Sequence, residues 1–123
     1  MPLVFVYGTL KRGGSNHAHL LGQHFLGPAR TQPGYTLYQP ADYPGMVPET
    51  ADRNGVTGEL WQVDDQCLRA LDRLEGLAEA LYARVSVRLA APHDQLTVDS
   101  YLYLRPLVGC PHVGSNWPVS GQD

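Results

Sequence analysis

Two places in the sequence carry residue types that can do chemistry. One is the loop Tyr7-Gly8-Thr9-Leu10 and the other is the carboxylate of Glu75. The loop follows Leu3-Val4-Phe5-Val6, an apolar run without alternation that reads as a strand buried on both faces. Backbone N–H groups at a glycine turn between a strand and a helix bind anions such as carboxylate or phosphate. Gly8 also lets the backbone approach a ligand closely. The competing reading is that Gly8 only makes a tight turn. A P-loop is a poor fit to residues 8–15, because Gly14 stands where its lysine belongs and nothing would reach a nucleotide's outer phosphates.

Glu75 gains its interest from spacing. Asp64 and Asp65 suit a helix N-terminus, Leu68, Leu71 and Leu74 recur at helical intervals, and Gly76 is a natural stop. Glu75 is seven residues after Leu68 and four after Leu71, so it lies on the apolar side of that helix. A buried carboxylate has a raised pKa, and the negative end of the helix dipole pushes the same way. A carboxylate tuned toward neutral pH suits a general base. Against this stands the reading that Glu75 frays outward or pairs with Arg84 or Arg88. Glu79 is a second carboxylate nearby without the same placement.

The other constellations are poorer. His17 and His19 are two apart and point to different sides of a helix, and with His24, His93 and His112 they form no metal-ligand spacing. There is no Gly-x-Ser-x-Gly elbow. Cys67 reads as a small core residue, and Cys110 near His112 in a Gly/Pro tail is thin support for a Cys–His pair. Tyr101 and Tyr103 can line a pocket or simply cover a sheet edge.

The elements that must position these residues follow from composition and patterning. The chain has 123 residues, 43% hydrophobic and 17% charged, which fits one folded domain and not a disordered segment. Its 13 glycines and 10 prolines imply frequent turns and short strands. A net charge of −3 gives no global pull toward nucleic acid or an anionic membrane. No apolar run is long enough to span a bilayer, and the N-terminus lacks the basic region of a signal peptide. Cytoplasm is the default location, where two cysteines stay as thiols.

Strands are expected over residues 3–7, 34–39, 56–63, 82–89 and 96–104, with a kink or close approach at Gly58. A short helix is expected over 17–21, capped by Ser15 or Asn16, and a longer one from Asp64 to Gly76. Residues 40–55 read as loop. The tail from Pro106 is expected to be weakly structured, with Trp117 a candidate anchor. The sum is an α+β fold of about five to seven short strands and two helices, with a barrel-like sheet.

Five segments in order then resemble the γ-glutamylcyclotransferase-like superfamily, and more closely its small γ-glutamylamine cyclotransferase branch, also called AIG2-like. They are Val6-Tyr7-Gly8-Thr9-Leu10-Lys11-Arg12-Gly13, Tyr43-Pro44-Gly45, Val56-Thr57-Gly58-Glu59-Leu60-Trp61-Gln62-Val63, Leu71-Asp72-Arg73-Leu74-Glu75-Gly76 and Tyr82-Ala83-Arg84. Together they cover roughly residues 3–105. The link from Glu75 to Tyr82 lacks the proline that members often carry.

The resemblance implies a mixed β-barrel flanked by helices. It implies that Tyr7, Gly8, Thr9 and Leu10 hold the α-carboxylate and amine end of a γ-glutamyl group, that Tyr82 helps to bind substrate, and that Glu75 is the catalytic glutamate. The implied reaction is attack of the α-amine on its own γ-carbonyl, giving 5-oxoproline and a released amine, with no metal or cofactor required. A monomer is favoured. Two other classes remain open at this point: a module that binds a γ-glutamyl or amino-acid ligand without turnover, and an interaction domain whose tail docks a partner.

Overall fold

The structure, a computed structural model, describes residues 1–118. Eight strands form one mixed sheet: β1 (Leu3–Val6), β2 (His24–Arg30), β3 (Tyr35–Tyr38), β4 (Gly45–Pro48), β5 (Thr57–Gln62), β6 (Tyr82–Val87), β7 (Val98–Tyr103) and β8 (His112–Gly114). One α-helix, α1 (Asp65–Leu74), lies between β5 and β6. The strand order is β2-β5-β1-β7-β4-β3-β8, with β6 on β7.

The feature that makes a site is a fork at β7. β6 runs antiparallel along its whole length, from Tyr82 opposite Tyr103 to Val87 opposite Val98, and so takes one edge. β1 and β4 both run parallel to β7, bridging at Asp99 and Leu102 respectively, and must share the other edge. Where β1 leaves and β4 takes over, the sheet opens. Tyr7 stands in the gap. Its hydroxyl donates to the Tyr101 carbonyl at 2.7 Å and accepts the Met46 N–H at 3.2 Å, which ties the two branches.

The sheet curls into a half-barrel. Thr31 bridges Leu89, and the Thr57 N–H donates to the Ser115 carbonyl. Side chains alternate between two apolar clusters, as a pleated strand requires. Val4, Val6, Trp61 and Val63 pack toward Leu71 of α1, while Phe5, Tyr7, Leu37, Met46 and Leu60 fill the concave side. β1 is therefore buried on both faces, as its unbroken apolar run implies. At Gly58 a Cβ would lie 2.3 Å from the Val6 carbonyl oxygen, so the close approach read from the sequence is real.

Several elements differ from the sequence reading. Residues His17–Leu20 form a 3₁₀ turn, not an α-helix. Neither candidate cap supports a longer helix, because the Asn16 side chain donates to Thr9 instead. β2 was not expected, since Gly27-Pro28 punctuates it; a bulge between Phe25 and Gly27, with Gly27 at φ 132°, absorbs the interruption. β4 lies in a stretch read as loop. The tail is not loose throughout: β8 pairs with β3, and Trp117 packs on the concave cluster. The last part of that tail, 119–123, lies outside the described residues.

Candidate active site

The opened fork is a cleft of about 200 Å³. Its floor is the end of β1 and the loop that follows, its far wall is Tyr43 and Pro44, and its near wall is the end of α1 with Leu81 and Tyr82. Glu75, Tyr7, Gly8, Thr9, Leu10 and Tyr82, singled out from the sequence, all line it. Tyr101, one of two tyrosines read as able to line a pocket, does so while Tyr103 does not, and Asn16 and Tyr43 line it too, although sequence reasoning gave them no role at the site.

The loop is held from several directions. The Lys11 N–H donates to the Gly8 carbonyl at 3.1 Å and closes a turn. Asn16 clamps Thr9 twice, backbone to carbonyl at 2.9 Å and side chain to hydroxyl at 3.0 Å. The His17 ring bonds the Leu10 carbonyl at 3.0 Å. Glu59 on β5, almost fully buried, accepts the Arg12 N–H at 3.0 Å, the Arg12 guanidinium at 3.3 Å and the Trp61 indole N–H at 3.2 Å. The outcome is specific. The N–H groups of Gly8, Thr9 and Leu10 have no acceptor among the described residues, and all three residues face the cleft. Backbone donors left free at a turn are able to bind an anion. Gly8 is required by the opposite wall: a Cβ there would lie 2.5 Å from Cγ of Pro44.

Glu75 reaches the cleft because α1 ends there. Asp64 caps the helix by accepting the Cys67 N–H at 2.7 Å, and Leu71 is fully buried beneath it. Glu75 is the residue after Leu74, and Gly76 turns the chain away at φ 66°. That left-handed turn suits glycine, which lacks the Cβ that would clash. The last turn is pinned to the sheet by Asp72, which accepts the Tyr101 hydroxyl at 2.8 Å and the Arg84 guanidinium at 2.9 Å. Arg84 also reaches Asp99 at 2.7 Å. Arg84 is thus committed elsewhere, and Glu75 has no ion pair or side-chain hydrogen bond among the described residues. Burial alone raises its pKa to about 7.

Three of the phenols around Glu75 are occupied. Tyr7 donates to the Tyr101 carbonyl, Tyr101 to Asp72, and Tyr82 to the Pro44 carbonyl at 2.6 Å. Burial drives all three well above the ordinary tyrosine range, and the nearby Glu75 charge adds to it. They are therefore neutral at any working pH, and none donates to Glu75. Among the described residues no lysine or arginine lines the cleft, and Glu75 is the one ionisable carboxylate that does. A ligand carboxylate entering here meets backbone donors, not a cation. Among the described residues, no group of three or more His, Cys, Asp or Glu is placed to hold a metal ion. No helix there is long and apolar enough to cross a membrane.

Residues 4–119 match the family described as gamma-glutamyl cyclotransferase, AIG2-like. A Vibrio cholerae serotype O1 protein that bears the γ-glutamylcyclotransferase name is 47% identical over 73 residues, 59% of this chain and 61% of that protein. The chain thus spans less than two thirds of that relative. The human γ-glutamylaminecyclotransferase is 38% identical over 102 residues, 77% of this chain and 66% of that protein. The crystal structure of an AIG2-like protein from Mus musculus superposes with a TM-score of 0.77 at 30% identity, covering 94% of this chain and 87% of that one.

Proposed function

The chain belongs to the AIG2-like γ-glutamyl cyclotransferase family, and we propose that it converts a γ-glutamyl amine to 5-oxoproline and the free amine. The observation that carries this reading is the pairing, in one cleft, of an unpaired carboxylate with a pKa of about 7 and a row of unsatisfied backbone N–H groups.

The N–H groups of Gly8, Thr9 and Leu10 hold the α-carboxylate as a set of fixed donors. Anchored there, the substrate folds so that its α-nitrogen meets its own γ-carbonyl carbon. Because attack is intramolecular, holding that near-attack shape is much of the catalysis. The α-nitrogen starts as an ammonium. Glu75 takes one of its protons, the freed lone pair forms the new C–N bond, the tetrahedral centre collapses, and the bond to the departing nitrogen breaks. Two protons leave the attacking nitrogen and two arrive at the departing one, which leaves as an ammonium. Glu75 is the lining group able to carry them, and a base of pKa near 7 accepts and returns protons with little bias either way. Tyr82 shapes the wall and holds Pro44.

The leaving-group side consists of Tyr43, Pro44, Leu74 and Leu81, with no cation among them. Such a wall favours a departing amine without a carboxylate next to its nitrogen. The two cysteines are free, which suits a reducing, cytoplasmic setting. The non-catalytic binding module has the weaker case, because a raised, unpaired carboxylate serves no need of mere binding. The test is a panel of γ-glutamyl alkylamines and γ-glutamyl α-amino acids, with 5-oxoproline and amine both quantified. Release from the alkylamines first supports the reading, and no release from any member refutes it.

A further inference from the structure

Lys11 is a buried ionisable group that the reaction does not use. It is 2% exposed, and no carboxylate lies within ion-pair reach among the described residues, Glu59 being taken by Arg12. Its ammonium donates instead to the Trp117 carbonyl at 2.5 Å and to Asn116 Oδ1 at 3.4 Å. A well-packed apolar side chain would serve packing alone at least as well.

What the ammonium joins explains its position. On one side is the turn that presents the free N–H groups: the Lys11 N–H bonds the Gly8 carbonyl, and its own carbonyl accepts the Gly14 N–H at 2.7 Å. On the other side is the strap after β8. There Ser115 accepts the Thr57 N–H at 2.8 Å, Asn116 Oδ1 accepts the Thr57 hydroxyl at 3.0 Å, and Trp117 packs on the concave cluster. The strap is thus seated on β5 and the core, and Lys11 ties it to the substrate loop more than a hundred residues away in sequence.

We propose that Lys11 is a positioning residue, fastening the 115–117 strap to the substrate loop so that the strap sets where the Gly8, Thr9 and Leu10 N–H groups point. In its functional part this rests on the cyclotransferase reading. It assigns the tail a role inside the molecule and not as a partner-docking arm. Burial pulls the Lys11 ammonium below the usual lysine range, and the Glu59 charge partly restores it.

The test uses the full chain with Lys11→Met, Lys11→Arg and Asn116→Ala, and two readouts. In the free protein, Lys11→Met should speed hydrogen exchange of the loop's three bonded amides, those of residue 11, Gly14 and Asn16, about ten- to a hundredfold, the loss of a hydrogen bond from a charged donor. The KM for a γ-glutamyl amine and the Kd for 5-oxoproline should worsen by a similar factor, with kcat held within about threefold. Affinity for 2-pyrrolidinone, which has no carboxylate, should not change. Lys11→Arg should recover most of the loss. Asn116→Ala should shift the same readouts less, and combined with Lys11→Met should add nothing.

Unchanged exchange in the three loop amides overturns the proposal. So does exchange that rises over the whole sheet with a lower Tm and an unaltered KM, which is a merely structural role. Full additivity of Lys11→Met and Asn116→Ala overturns it as well. Should Lys11→Met fail to fold, Asn116→Ala alone decides by the same exchange criterion. Faster exchange confined to the loop, in a protein whose wild type neither binds 5-oxoproline nor turns over, upholds the positioning role and refutes the cyclotransferase reading.

Discussion

Replacing Glu75 with Gln should make the protein more stable and less active, and the stability gain should depend on pH. Burial raises the carboxyl from an ordinary value near 4.5 to about 7. The folded state therefore holds its proton more tightly than the unfolded state. Its contribution is fully present below about pH 4.5 and is lost as pH rises through 7. At about 1.4 kcal/mol for each tenfold change in proton affinity the displacement is worth about 3 kcal/mol, and partial solvent access brings this nearer 2. Gln is close in size and has no charge to bury. Urea denaturation of wild type and Glu75→Gln at intervals from pH 4 to pH 9 should show a difference that opens by about 2 to 3 kcal/mol in favour of the variant and levels off above pH 8. Parallel stability curves would refute the claim that this carboxyl is buried and unpaired. The same variant should lose about 10²- to 10⁴-fold in kcat while still binding substrate.

Four further outcomes follow from the geometry. The kcat/KM of wild type should rise with pH to a plateau, with a midpoint near 7 set by Glu75, measured on the free enzyme in a pH series. Glu59→Gln presents an N–H to one of three donors that now find an oxygen, and should cost about 1 to 3 kcal/mol in urea denaturation with a raised KM. Gly8→Ala places a methyl 2.5 Å from Pro44 Cγ, and should cost about 1 to 3 kcal/mol and weaken 5-oxoproline binding in calorimetry. Asp72→Asn weakens a partly exposed ion pair, and should cost about 1 kcal/mol, with a severalfold lower kcat because the end of α1 loosens.

Most of the site was legible because its parts are local. An unbroken apolar run into Gly8 specifies a doubly buried strand followed by a turn. Leucine spacing and a glycine stop place Glu75 at the end of α1 on the core side. What the sequence hid depends on contacts distant along the chain. β2 exists because β5 pairs with it through a bulge, against the local message of Gly27-Pro28. β4 is held by β3 and by a single bridge to β7. Lys11 and Glu59 look like surface charges in sequence, and their burial comes from the strap and from Arg12. The fork that opens the cleft, β1 and β4 sharing one edge of β7, has no local signal at all.

The most direct test of the proposed chemistry is a product analysis that separates cyclisation from hydrolysis. Wild type is incubated above pH 7 with a γ-glutamyl alkylamine, and 5-oxoproline, glutamate and free amine are quantified by mass spectrometry. The expected result is 5-oxoproline equimolar with amine and no glutamate, with Glu75→Gln slower by at least a hundredfold, the lower end of a general-base contribution. Glutamate in place of 5-oxoproline, or equal rates in the two proteins, would contradict intramolecular attack assisted by Glu75.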